Sequence, residues 1–153
     1  MQIRPYQPAD RDRLLAIWLD ASRVGHGFLG EATLREQQAK VGDIYLPMAD
    51  NWVAEIDGRV EAFIGLIDSF VGGLFVDPLA HGSGLGRALV EHAGARLGPL
   101  TVSVYADNGK ALAFYHRCGF IETARKPEDD EGRPLEVVDM RRAPAAHAGA
   151  AQP

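Results

Sequence analysis

Residues 74–93, LFVDPLAHGSGLGRALVEHA, limit what this chain can fold into more than any other stretch. An apolar run reads as the end of a strand. It passes through Pro78 and three glycines, Gly82, Gly84 and Gly86, into residues where Leu85, Leu89, Val90, Ala93 and Leu97 recur at helical spacing. A strand, a glycine turn and a helix in that order bring backbone N–H groups to the positive end of a helix dipole. Such a place binds phosphate. Glycine suits it because a Cβ would hold a bulky diphosphate away from the amides, and because positive φ is open to glycine.

Two common phosphate loops do not fit. A P-loop needs Gly-Lys-Ser/Thr at the helix start, whereas Gly86 is followed by Arg87 and Ala88. A dinucleotide fingerprint needs a third glycine where Arg87 stands, although Asp107 lies about 20 residues on, where its acidic partner would be. The setting also argues against it, because helices and an antiparallel hairpin precede the loop. Residues 51–57 and 58–70 are rich in β-branched and aromatic side chains and meet at Asp57-Gly58, the dipeptide of a type I′ turn. A third strand over 71–77 completes a meander, in which Gly72 and Gly73 point to a bulge or a close backbone approach.

Upstream, IRPYQ reads as a short strand. Residues 9–22 read as a helix with Leu14, Leu15, Trp18 and Ala21 on one face and Asp10 as a candidate cap. A glycine-rich loop over 25–30 carries His26 and Phe28, and a second helix is expected over 32–41. Downstream, the pattern predicts a helix over 85–97, a strand over 100–106 and a short helix ending at Gly119. Strands over 120–126 and 135–142 flank the acidic loop PEDDEGRP. The tail 143–153 lacks period and large apolar groups and is expected to be disordered.

With 153 residues, 46% hydrophobic and 24% charged, the chain has the size and composition of one soluble globular domain. A net charge of -5 argues against a general nucleic-acid binder. The lone Cys118 rules out an internal disulfide, and no basic-then-apolar leader or apolar run of about 20 residues is present, so a cytoplasmic, non-membrane protein is expected.

A third kind of phosphate loop does fit. HGSGLG resembles the Arg/Gln-x-x-Gly-x-Gly/Ala pyrophosphate loop of the GNAT (Gcn5-related) N-acetyltransferases, and FVDP precedes it as in that family. VYADNGKALAFYHRCGF resembles the family's downstream signature, and the order of elements matches from about residue 2 to 141. GHGFL, WVAE and DDEGRPLEVVDM are similar to small single-domain bacterial members. One departure is that His81 stands where the family usually has Arg or Gln. The resemblance implies an α/β (α+β) GNAT acyl-CoA N-acyltransferase fold over residues 1–142: a mixed, mostly antiparallel central sheet flanked by helices and splayed at the cofactor site.

It also implies acetyl-CoA as cosubstrate and direct transfer to a primary amine in a ternary complex; the alternative is a non-catalytic acyl-CoA-binding module. The implied coenzyme residues are Leu74, Phe75 and Val76 along the strand, then His81, Gly82, Ser83, Gly84, Leu85, Gly86 and Arg87, with Asn108, Ala111 and Tyr115 downstream. A backbone N–H near Phe75 or Val76 would polarise the thioester carbonyl. Tyr115 is the implied general acid, against the plainer reading of a core tyrosine, and Asn108 is a coenzyme contact, a helix N-cap or both. His26 is the candidate base, with Asp68 and Glu61 as alternatives, and His26, Phe28, Asp68 and Phe70 are candidates for the acceptor site, against the plainer reading of Phe28 and Phe70 as core.

The remaining features have ordinary readings. Cys118 reads as a small buried residue, Trp18 and Trp52 as core, and residues 128–131 as a solvated loop. His81, His92, His116 and His147 lack metal-ligand spacing, so no metal is expected. A monomer and a homodimer are both compatible with the sequence.

Overall fold

The computed structural model describes residues 1–144, so the tail expected to be disordered lies, from residue 145 on, outside the described residues. The chain forms two compact units divided within one helix, the first being Met1–Leu89 and the second beginning at Val90.

The first unit contains β1 (Gln2–Pro5), α1 (Arg11–Gly25), α2 (Glu31–Lys40), α3 (Leu46–Met48), β2 (Asp50–Ile56), β3 (Arg59–Ile67) and β4 (Phe70–Val76). Its four strands pair antiparallel in chain order. Asp57 and Gly58 have φ of 52° and 80°, the two positive values that a type I′ turn requires. The turn expected between the second and third strands falls at Asp68-Ser69, inside the span 58–70 read as the second strand, and separates β3 from β4; Asp68 takes φ 53°, a conformation its short polar side chain tolerates. Gly65 faces Gly73 and Leu66 faces Val71, so Gly72 is the extra residue of the expected bulge.

The apolar stripe of α1 closes the core of this unit. Leu14, Ile17 and Trp18 bury against Leu34, Val53 and Phe63, each large side chain contributing about 1.5–3 kcal/mol relative to exposure. Trp52, expected in the core, is only half-buried. A 3-10 turn, Pro8–Asp10, precedes α1. Asp10 caps that turn by accepting from the Gln7 amide at 2.8 Å, and it accepts from both terminal nitrogens of Arg4 at 2.9 Å. Beyond α2 the backbone continues through a π-helical turn, Val41–Tyr45, past the end expected at residue 41. Gly42 is buried there, and a Cβ on it would come within 2.7 Å of the Arg11 guanidinium.

The helix that carries the division is α4 (Leu85–Leu97). The second unit then adds β5 (Leu100–Tyr105), α5 (Gly109–Arg117), β6 (Phe120–Lys126) and β7 (Val137–Arg142). β7 pairs antiparallel with β5 on one side and β6 on the other. Gly119, at φ 95°, ends α5 as expected. Arg142 is 7% exposed; its Nε donates to the Cys118 carbonyl at 2.9 Å and it pairs with Glu91 at 3.2 Å. Cys118 is buried.

Candidate active site

In the first unit, the predicted coenzyme residues from Leu74 to Arg87 form one continuous path. Phe75 lies opposite Phe63, and the Asp77 amide donates to the Glu61 carbonyl at 2.8 Å. Antiparallel ladders alternate, so Phe75 exchanges backbone bonds with β3 while the N–H and C=O of Leu74 and Val76 point away from it. Of the two amides named for polarising an acyl carbonyl, Phe75 is therefore turned into the ladder, and Val76 faces outward.

β4 ends in a structure that sequence alone does not reveal. Asp77 is 6% exposed and its carboxylate accepts from the Leu79 amide at 3.0 Å and from Arg13 at 2.7 Å. Burial alone would raise the Asp77 pKa, but the Leu79 amide and the Arg13 guanidinium hold it below the ordinary carboxylate value. Arg13 also donates to the Val60 carbonyl at 2.8 Å, which fastens α1 to the end of the β3–β4 pair. The Asp-Pro dipeptide was the one available signal, marking a turn start but not its ion pair.

A 3-10 turn, Pro78–Ala80, leads to His81, whose Nε2 lies 3.0 Å from the Val76 carbonyl. Gly82 and Gly84 follow at φ 81° and 84°. A Cβ would meet no protein atom within 4 Å at either position, so within the protein it is the positive φ that favours glycine here. The Ser83 amide is bound to the Ala80 carbonyl at 3.2 Å, whereas Leu85 and Gly86 open the first turn of α4, where helix geometry provides no intrahelical acceptor. An anion at this turn would meet the helix dipole's positive end, with Arg87 in the same turn adding charge.

His26 follows α1, its amide donating to the Ser22 carbonyl at 2.6 Å. Its ring meets Phe28 edge-on, with centroids 6.1 Å apart, and burial lowers its pKa below 6.5, so the imidazole is neutral at pH 7. Phe28 is 42% exposed and Phe70 37%, so ordinary core packing does not account for either. Asp68 and Phe70 lie at the far end of β4 from the glycine turn, about 20 Å away at about 3.3 Å per residue. Glu61, an alternative base, is held between Arg13 and Arg59, each at 3.5 Å.

In the second unit, Asn108 is the N-cap of α5, its side chain accepting from the Ala111 amide at 3.2 Å. Two turns later, Tyr115 is 7% exposed and packs edge-on against Phe120 at 5.2 Å. Burial, with a smaller contribution from Cys118, pushes its phenol well above the ordinary value near 10, so it stays protonated through the neutral range. The acidic loop is more ordered than the expected solvated segment. Asp129 has a side chain 5% exposed and accepts from Tyr105 at 2.9 Å and from the Arg133 amide at 2.8 Å. Among the described residues, no group of three or more His, Cys, Asp or Glu is placed to hold a metal ion, and no helix is long and apolar enough to cross a membrane.

Comparison with known proteins shows the family. Residues 48–122 match the model of the acetyltransferase (GNAT) domain. The chain is 35% identical over 141 residues to the peptidyl-lysine N-acetyltransferase YjaB of Salmonella typhimurium, covering 92% of this chain and 97% of that protein. It is 34% identical over 119 residues to the peptidyl-lysine N-acetyltransferase YiaC of Escherichia coli, covering 77% and 82%. The solution structure of apo-form YjaB from Escherichia coli superimposes with a TM-score of 0.84 at 33% identity, covering 95% of this chain and 98% of that one. The seven strands among the described residues, antiparallel in every pairing given above, and their flanking helices agree with that fold. The chain therefore belongs to the GNAT family, the N-acetyltransferases that move the acetyl group of acetyl-CoA to an amine.

Proposed function

We propose that the acceptor is the side-chain amine of a protein lysine, and that transfer is direct, within a ternary complex. The named activity of relatives 34–35% identical supports a lysine over an N-terminal or small amine. The observation that carries the site assignment is the unbroken path from the outward-facing backbone of Leu74 and Val76, through Gly82 and Gly84 at positive φ, to the first turn of α4. The extended pantetheine arm pairs along the outward edge of β4 as an added strand would. The amides of Leu85 and Gly86, with Arg87, hold the diphosphate. Asn108 and the neighbouring Ala111 contribute further coenzyme contacts.

The chemistry divides among residues already described. The Val76 N–H stabilises the oxyanion that forms when the amine nitrogen bonds to the thioester carbonyl carbon. His26, neutral at pH 7, takes a proton from that nitrogen directly or through a water molecule. The proton it takes is acidic because the nitrogen has become cationic on bonding to carbon. As the carbon–sulfur bond breaks, Tyr115 gives its phenolic proton to the sulfur. Burial raises the phenol, and an equally desolvated thiolate is made more basic by the same effect, so donor and acceptor shift together. Phe28, beside His26, belongs to the acceptor side of this scheme, whereas Asp68 and Phe70, at the opposite end of β4 from Val76, have no part in it. A lone, buried thiol at Cys118 and a net charge of -5 fit a cytoplasmic enzyme that does not bind nucleic acid, acting as a monomer or homodimer.

The test is thiol release from acetyl-CoA against a panel of lysine peptides, peptides with only a free N-terminus, and small amines, run beside Tyr115→Phe. Release with lysine peptides, reduced at least tenfold in the variant with coenzyme affinity retained, supports the scheme. Coenzyme binding without release on any amine would favour a non-catalytic acyl-CoA-binding module instead.

A further inference from the structure

His81 is exposed, yet its ring is held: its Nε2 is 3.0 Å from the carbonyl oxygen of Val76. A carbonyl can only accept, so Nε2 carries the proton in this contact. The peptide it touches is the last of β4, and that peptide is also held on its opposite edge, where the Asp77 amide donates to Glu61 at 2.8 Å. Asp77 in turn is fixed by Arg13 and the Leu79 amide. The imidazole reaches back over the 3-10 turn, whose own closures run from Ala80 to Asp77 at 2.7 Å and from His81 to Pro78 at 3.3 Å. The next residue, Gly82, begins the positive-φ turn. His81 is thus the last side chain that ties this loop to the strand before the backbone becomes glycine-rich.

We infer that His81 is a positioning residue: by donating from Nε2 to the Val76 carbonyl it fixes the outward-facing end of β4 and the entrance of the glycine turn, and position 81 requires an N–H donor rather than a positive charge. The inference rests on the coenzyme reading of this loop. His81 acts through Val76 and the turn, not by contact with the diphosphate. Its removal leaves the Val76 carbonyl to solvent and lets the entrance of the turn move, which weakens binding before it affects the chemical step.

Three variants test this: His81→Leu, which removes the donor, His81→Gln, which keeps a neutral one, and His81→Arg, which adds a fixed charge. The readouts are CoA affinity by calorimetry, kcat and KM for acetyl-CoA, and backbone amide resonances of residues 76–86 in the ligand-free protein. The loss of one exposed hydrogen bond predicts an affinity about two- to tenfold weaker in His81→Leu, a matching rise in KM, a smaller change in kcat, and displaced loop resonances. His81→Gln should restore all of these. Wild-type affinity in His81→Leu, or recovery with His81→Arg but not His81→Gln, overturns the inference. If the wild-type protein binds no CoA, the coenzyme reading fails, while the ligand-free spectra still decide whether His81 orders the loop.

Discussion

Gly73 lies on β4 beside the bulge, and replacing it with alanine perturbs the packing behind the proposed coenzyme strand at a single atom. A Cβ on Gly73 would stand 2.6 Å from Cε2 of Phe75, with two further ring carbons at 3.4 and 3.5 Å. Unstrained carbon contacts need about 3.5–4.0 Å, so the ring must retreat by roughly 1 Å. It has little room, because Phe75 packs against Phe63 at 5.5 Å and Trp18 at 6.0 Å between centroids. Overpacking of this kind costs about 1–3 kcal/mol, offset by about 0.4–1 kcal/mol from the stiffer unfolded chain. The net loss is about 1–2 kcal/mol, a fall in Tm of roughly 2–8 °C for a chain of this size. Gly72 supplies the control: its Cβ would find its nearest neighbours at 3.5 and 3.6 Å, which is ordinary contact, so Gly72→Ala should stay within about 0.5 kcal/mol of wild type. Urea melts and thermal scans of both variants decide it. A Gly73→Ala protein as stable as wild type, or a larger loss in Gly72→Ala, would refute the packing argument.

In the second unit, Gly94→Ala would drive a Cβ into the buried guanidinium of Arg142 and break its bond to the Cys118 carbonyl; a loss of about 2–3 kcal/mol is expected in denaturant titration, and an unchanged midpoint would show that Arg142 can move aside. His26, with its pKa depressed by burial, predicts that kcat/KM falls on the acid side with a midpoint below 6.5, and that His26→Gln removes this limb together with most of the rate; a limb that survives the substitution excludes His26 as the base. The same depression means that a protonated unfolded chain gains on the folded one as pH drops, so His26 contributes to acid destabilisation, not to alkaline loss. Tyr105 behaves oppositely: burial and its bond to Asp129 push its phenol up to about 12, so its contribution is complete below pH 10 and is lost between pH 10 and 12, and Tyr105→Phe should flatten that part of the stability profile.

Local chemistry made much of this fold legible from sequence. Asp57-Gly58 marked a type I′ turn because few dipeptides take two positive φ values, and α4 runs over the residues that its apolar spacing indicates. Gly119 stopped α5, and Gly72 marked the bulge. What was not legible depends on partners distant in sequence. The turn between the second and third strands reads as following residue 70, but it falls at Asp68-Ser69, where aspartate holds the left-handed conformation. The second helix reads as ending at residue 41, but Arg11 packs over Gly42 and a π turn carries the backbone on. The role of Asp77 emerges only with Arg13, 64 positions earlier, and that of Asp129 only with Tyr105. His81 illustrates the same limit. As a departure from a pattern with Arg or Gln it had no evident purpose, and the shared property, a side-chain N–H, shows once the Val76 carbonyl is seen beneath it.

The reaction proposed for this chain is acetyl transfer from acetyl-CoA to lysine side chains. Its most direct test is incubation of the purified protein with acetyl-CoA and a lysine peptide whose N-terminus is blocked, with free thiol and acetylated peptide quantified in the same samples. Both should rise together, one acetyl-lysine for each CoA released, and Tyr115→Phe should slow both equally. Thiol release with no acetylated lysine, or coenzyme bound with neither product formed, would contradict it.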